Sequence, residues 1–425
     1  MRVLLATDAF PPGCGGSGWS TYELAKGLRA HGHEVAVVRP RTTRGSVASS
    51  QAYDGFTPIE YHAAAPNVPF IRNYFKNERL YRRFGHYLAT LVRMRAIDIV
   101  HAQHVLTGPA SITAGREANV PVVCTVRDYW PVCYWSDLIY DRSSDRLCPA
   151  CSPTMMTRCV RPRAGGLWPL AVPLIPYMRA NLSLKRQSLA SADAVVAVSS
   201  TIAQDLRERA SELDGTRLET IPNPVDTAGI RDQAGRQERP MALPYAIFVG
   251  KLEPNKGVAR LITAIERADL DWPLVIVGDG SERGRLEAAS GRAGRDVRFV
   301  GWLPREEVLG WLRYAAVLVF PSYGPESLSR VLLEASALAR PIAANDTGGT
   351  GDIITNEVTG LLSHTAEGLG DDLARLRRDD GLRLRLGAAA RQRVEERFDA
   401  SGVVRRIEAL YANLVERGRR EAGVR

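Results

Sequence analysis

A tandem pair of doubly wound α/β domains is the architecture to expect from these 425 residues, on three grounds. Short apolar runs recur along the chain without the polar alternation of a half-exposed sheet, as parallel strands covered on both faces require. Longer helical patterns separate those runs and supply the crossovers that parallel strands need. Between Pro222 and Pro244, four prolines and two glycines surround a polar Gly235–Arg239 segment and break the pattern, marking a boundary between two halves.

The elements follow in order. Val3–Ala6, Val35–Val38, Ile97–Val100, Val120–Val123 and Ala194–Val198 are the expected strands of the first half. Tyr245–Val249, Leu274–Val277, Val297–Val300, Val317–Phe320 and Pro341–Ala344 are those of the second. Helices such as Ser20–His31 and Gly257–Ala268 lie between them. This predicts a first domain over 1–225 and a second over 226–404. Beyond Ala400, Val403, Val404, Ile407, Leu410, Tyr411 and Leu414 share one helical face, so a helix over about 405–425 is expected to return to the first domain. Ligands of such folds bind beyond the carboxyl ends of the strands. Two Rossmann-like sheets facing each other would enclose a cleft there.

Composition narrows the function classes. With 45% hydrophobic and 24% charged residues the chain is ordinary globular material, not disordered, collagen-like or a disulfide miniprotein. The stretch Leu167–Met178 is interrupted by Pro169, Pro173 and Pro176 and falls short of the ~20 residues a spanning helix needs. Met1–Asp8 is too short in apolar residues for a secretory signal, so a reducing, cytoplasmic setting is the expectation. Net charge is +9, with 26 basic against 19 acidic residues up to residue 230 and 30 against 28 after it. The first half therefore faces something anionic.

Several loops carry chemistry. Gly15, Gly16 and Gly18 follow the first strand in a Gly-x-Gly-x-x-Gly spacing that begins at Gly13. Lys251 and Lys256 flank the turn into a helix whose N-terminus would join them in neutralising a diphosphate. Glu326 ends a strand-exit loop, and Glu334 lies eight residues on, in the helix that follows. Carboxylates accept paired hydrogen bonds from vicinal hydroxyls, so the two could hold a ribose and a sugar ring. Between them the amides of Ser327, Leu328 and Ser329 are expected to open that helix toward phosphate. Taken singly, each of these residues also reads as an ordinary solvated or helix-terminal charge.

The motifs Gly250-Lys-Leu-x3-Lys-Gly257, Val277-Gly-Asp-Gly280, Val297-x-Phe-x-Gly-Trp302, Glu326-x7-Glu334, Pro341-Ile-Ala-Ala-x3-Gly-Gly349 and Thr359-Gly-Leu-Leu362 occur in this order. Together they resemble the second domain of retaining GT-B glycosyltransferases of the group 1 (family 4) class. Pro12–Gly18, Asp98–His104 and Ile221–Asp226 extend the resemblance through the first half. It implies transfer of a sugar from a nucleotide-diphosphate donor, a UDP- or GDP-sugar, to a glycan or lipid-linked acceptor, with no catalytic metal and no nucleic acid partner. It places Lys251 and Lys256 on the diphosphate, Glu334 on the ribose and Glu326 near the donor sugar. Gly15, Gly16 and Gly18 fall to the phosphates and acceptor, and Gly301 and Trp302 to the base. Four departures stand out: Arg127-Asp128 replaces His-Asp, Ser327-Leu-Ser329 replaces Gly-Phe-Gly, Asn223-Pro224 replaces Asn-Gly in the linker motif, and Lys251 stands where Arg is usual.

Four further features lie outside that series. His101 and His104 end a strand, His104 being the better candidate for the site. Cys133, Cys148, Cys151 and Cys159 have the spacing of a structural zinc site with one long interval, though free thiols or two disulfides fit the same count. Over Phe70–Arg95, Phe70, Tyr74, Tyr81, Phe84, Leu88 and Leu91 share one helical face, and Arg72, Lys76, Arg79 and Arg83 the opposite one. This fits a packed surface helix or a peripheral contact with an anionic membrane. A dinucleotide oxidoreductase would need an acidic residue after the second strand, where Arg39-Pro40-Arg41 stands. A non-catalytic basic binding protein would leave the second-half motifs unexplained.

Overall fold

The computed structural model describes residues 1–41, 52–64, 74–75, 78–141 and 147–423. The first sheet contains β1 (Arg2–Ala6), β2 (Glu34–Arg41), β3 (Ile59–His62), β4 (Ile99–Ala102), β5 (Val122–Val126), β6 (Ala194–Ala197) and β7 (Leu218–Thr220), ordered β3-β2-β1-β4-β5-β6-β7. The second contains β8 (Ala246–Val249), β9 (Leu274–Val277), β10 (Val297–Gly301), β11 (Val317–Phe320), β12 (Ile342–Asn345) and β13 (Leu361–Ser363), ordered β10-β9-β8-β11-β12-β13. Every pairing is parallel. Strand order reverses beside β1 and β4 in one sheet and beside β8 and β11 in the other, and the loops leaving these strands are where ligands of such sheets bind.

The central strands β4, β5, β6, β9, β11 and β12 are buried at every residue, which is why they read as largely apolar runs, interrupted by His101, Thr125 and Asn345. Two strands begin two residues later than expected. Ala96 turns with φ +47° and Asp98 bonds back to Arg2, so β4 starts at Ile99. Val120 donates to Gly115 at the end of the preceding helix, and Pro121 has no amide to give, so β5 starts at Val122. Helix Gly16–Ala30 starts four residues before the expected Ser20.

The segment between β3 and β4 bears out the packed-helix alternative over its described part. Phe70, Arg72 and Lys76 lie outside the described residues. In helix Glu78–Met94, Tyr81, Phe84, Leu88 and Leu91 are buried in the core of the first domain. Gly85 lets helix Gly108–Ala118 approach, a Cβ there coming within 2.9 Å of Thr113. From Tyr81 onward that apolar face is spent on packing, while Tyr74 is exposed. Arg83 on the other face is exposed, while Arg79 lies over the Phe75 ring at 4.5 Å.

The chain passes between the sheets twice, and the two passages touch. Val225 donates to Phe398 O at 3.0 Å and accepts from Ala400 N at 2.9 Å. Helix Ala400–Gly423 then buries Val403, Val404, Ile407, Leu410, Tyr411 and Leu414 in one cluster with Val3, Leu5, Leu24 and Leu28. Among the described residues no helix is long and apolar enough to cross a membrane.

Candidate functional site

Between the two sheets lies a cavity of about 980 Å³, lined by the loops that leave β1, β8, β10 and β11. On the second-domain side the loops are locked into one another. Gly257 turns with φ +66°, and a Cβ there would sit 1.9 Å from Pro321 O, so only glycine lets the β8 loop meet the β11 loop. Gly278 plays the same part between the β9 loop and Gly250 O, also at 1.9 Å. The result is a Lys256 Nζ–Glu326 Oε1 ion pair of 2.6 Å, with Ser322 Oγ 2.8 Å from the same oxygen. Gly349 N donates to Glu326 O at 2.6 Å, and Tyr129 OH of the first domain donates to it at 3.3 Å. Lys251 and Trp302 line the same cavity from exposed positions, and Gly301 beside Trp302 turns with φ +76° and accepts from Gly278 N at 2.7 Å.

Glu334 is buried in helix Arg330–Ala337, and its Oε1 accepts from Arg305 Nε and Arg330 Nε, each at 3.1 Å. Both arginines also reach Glu23 of the first domain, Arg305 at 3.4 Å and Arg330 more closely. Arg305 lies over the Trp19 ring at 4.5 Å. Burial pushes the Glu23 carboxyl up, and the Arg330 and Arg305 charges oppose it. This quartet closes the floor of the cleft. No motif in the sequence singles out Glu23, Arg305 or Arg330. The available signal was that Arg330 stands four residues before Glu334, on the same helical face.

The helix start differs from expectation. Ser329 is the N-cap, with φ −71° and ψ 120°, and the first helical residue is Arg330. Leu328 turns into the core, so the amides of Ser327, Leu328 and Ser329 precede the helix although all three residues line the cavity. Across the cleft Gly15 is the N-cap of helix Gly16–Ala30, without a side-chain cap. A Cβ on Gly15 would meet nothing within 4 Å, whereas one on Gly16 would touch Arg330 at 3.4 Å and one on Gly18 would strike Cys14 Sγ at 2.5 Å.

The remaining candidates divide. Arg127 lines the cavity but is buried, donating to Asn223 Oδ1 at 2.7 Å, Thr21 Oγ1 at 3.1 Å and Gln103 O at 3.3 Å. Burial lowers its guanidinium to about 10, and its bonds tie the β5 exit to the linker. His104 and Asp128 stand apart from that lining: His104 Nδ1 is 3.4 Å from Asp8 and Nε2 is 3.8 Å from Asp128. Burial raises the Asp128 carboxyl, with His104 opposing. His101 is a core residue, 2.5 Å from Tyr411 OH and 2.6 Å from Thr125 Oγ1, and burial holds it well below the usual histidine range. Cys133, Cys148, Cys151 and Cys159 all line one small void away from the cleft. Among the described residues no three His, Cys, Asp or Glu side chains stand in a ready ligand shell.

Comparison with known proteins agrees with this geometry. The family described as "Glycosyltransferase Family 4" matches residues 14–228, and that described as "Glycosyl transferases group 1" matches residues 230–393. The D-inositol 3-phosphate glycosyltransferase of Xylanimonas cellulosilytica is 27% identical, the alignment covering 96% of this chain and 94% of that one. A glycogen synthase of Mycobacterium tuberculosis is 26% identical over 99% and 96%. Among solved structures, sucrose-phosphate synthase from Thermosynechococcus elongatus superposes with a TM-score of 0.71 at 21% identity, covering 97% of this chain and 98% of that one. Anabaena HepE in complex with UDP-glucose does so with 0.66 at 17%, covering 97% and 100%.

Proposed function

The chain belongs to the group 1 (family 4) glycosyltransferases, and from that premise we propose that it moves a sugar from a UDP- or GDP-sugar to an acceptor hydroxyl with retention at the anomeric carbon. The observation that carries this reading is the Lys256–Glu326 pair facing the open Gly15 loop across the cleft. Lys251, Lys256 and the first-turn amides of the two facing helices take the donor diphosphate, where the largest negative charge develops. The bond from the anomeric carbon to the phosphate oxygen breaks as the acceptor oxygen bonds to that carbon. The acceptor proton passes to the departing phosphate oxygen. Neither Glu326 nor Glu334 acts as a nucleophile: Glu326 is left to the donor sugar, and Glu334 exchanges an arginine contact for the ribose. Trp302 and Gly301 border the base.

A panel of UDP-, GDP-, ADP- and dTDP-sugars in a thermal-shift assay tests the donor. The matching base at a hundredfold excess over Kd adds about 2.7 kcal/mol of stability. Stabilisation by none of them, or an inverted anomeric product by NMR, overturns the reading.

A second observation favours an acceptor held at a membrane surface. In the segment between β5 and β6, Leu167 and Leu170 are 69% and 76% exposed, beside exposed Arg158 and Arg161. Apolar and cationic side chains side by side suit an anionic lipid surface, with ~1 kcal/mol from each basic residue near it. Pelleting with anionic vesicles at low salt, lost in a Leu167→Ser/Leu170→Ser double variant, supports this role. Equal pelleting of that variant overturns it.

A further inference from the structure

We propose that Cys133, Cys148, Cys151 and Cys159 bind a structural zinc ion that staples the segment between β5 and β6 to the first domain. Four of the six cysteines, drawn from three stretches of chain, line a single void of about 10 Å³. That is room for one small guest. The rest of its lining is apolar or aromatic: Tyr134, Trp135, Ile139 and three methionines. Backbone bonds bring the stretches together. Cys133 N donates to Tyr129 O at 2.8 Å, Cys148 N donates to Leu138 O at 2.7 Å, and Ile139 bridges antiparallel to Leu147. Cys159 arrives on helix Pro153–Ala164.

Binding would convert four thiols to thiolates, release four protons to solvent and leave a zinc-tetrathiolate of net charge −2. Cations border the site together with one carboxylate, Asp137, which lies 4.0 Å from Cys133 Sγ and pairs with Arg163 at 2.6 Å. Arg163 NH1 donates to Cys159 Sγ at 2.8 Å, Arg209 to Cys148 O at 3.1 Å, and Arg186 to Pro131 O at 2.7 Å. Cys148 Sγ now donates to Ala150 O at 3.3 Å, and the shell closes when the thiols give up such contacts and turn to the shared void. The segment also packs partly on itself. The segment has a satellite core of six buried residues, Met156, Val160, Ala171, Ile175, Met178 and Leu182, separate from the larger clusters. Four sulfur ligands in a closed site select zinc over harder ions.

The test uses the full chain purified under reducing conditions without chelator. Elemental analysis should find about one zinc per chain. Cys148→Ser should lose it, and Cys124→Ser, whose thiol lies in β5, should keep it. Because Cys148→Ser could fail to fold, the wild type is also titrated with a mercurial, which should release the zinc as about four thiols are blocked. A metal-free chain with six titratable thiols overturns the proposal. So does iron in place of zinc, or an intact mass lower by the four hydrogens of two disulfides.

Discussion

The two sides of the cleft are built to opposite standards. On the second-domain side the β8, β9 and β11 loops touch backbone to backbone, with Gly257 and Gly278 at contacts no other residue allows. On the first-domain side the β1 loop presents Gly13 and Gly15 with open space where a Cβ would lie. One wall is preorganised, as stabilising a fixed diphosphate geometry demands. The other has room to receive an acceptor. Glu23 joins them, lying in the first domain but held by Arg305 and Arg330 of the second.

That contrast can be broken from either side. Glu23→Ala leaves the buried Arg305 and Arg330 sharing Glu334 as their one remaining carboxylate and should cost about 3 kcal/mol in chemical denaturation. A loss below ~1 kcal/mol would show the bridge is dispensable. Gly257→Ala forces a methyl against Pro321 O at positive φ and should cost about 3 kcal/mol. Lys256→Ala removes one charge-assisted contact of about 1.5–3 kcal/mol, so transfer should fall at least tenfold while the melting transition stays cooperative. Wild-type turnover in that variant would take Lys256 out of the site. Gly15→Ala should change stability by no more than ~0.5 kcal/mol, because nothing meets the new methyl. Its effect should appear in acceptor KM instead. A Gly15→Ala loss equal to that of Gly257→Ala would erase the distinction between the walls.

Strands were legible where both faces are buried. β3 reads Ile-Glu-Tyr-His and is half-exposed, with Glu60 paired to Arg39 and Arg41, and β7 has three half-buried residues, so neither makes an apolar run. The cleft residues were legible where a motif holds them within a few positions, as with Lys251, Lys256, Glu326 and Glu334. The Glu23–Arg305–Arg330 contacts span 282 and 307 residues, a separation at which spacing carries no signal. The Phe70–Arg95 pattern was correct about amphipathicity from Tyr81 onward and silent about what covers the apolar face, since helix Gly108–Ala118 is contributed from further along the chain.

The adjacent passages at Val225 and Phe398–Ala400 bear on the order in which a newly made chain can fold. Everything the second sheet needs is synthesised before residue 400. The first sheet is different: Val3, Leu5, Leu24 and Leu28 share their cluster with Val403–Leu414, which are made only after the whole second domain. Strand β1 therefore waits, one apolar face uncovered, for helix Ala400–Gly423. Release of a chain truncated at residue 399 should leave a folded second domain attached to a sticky, chaperone-dependent first one.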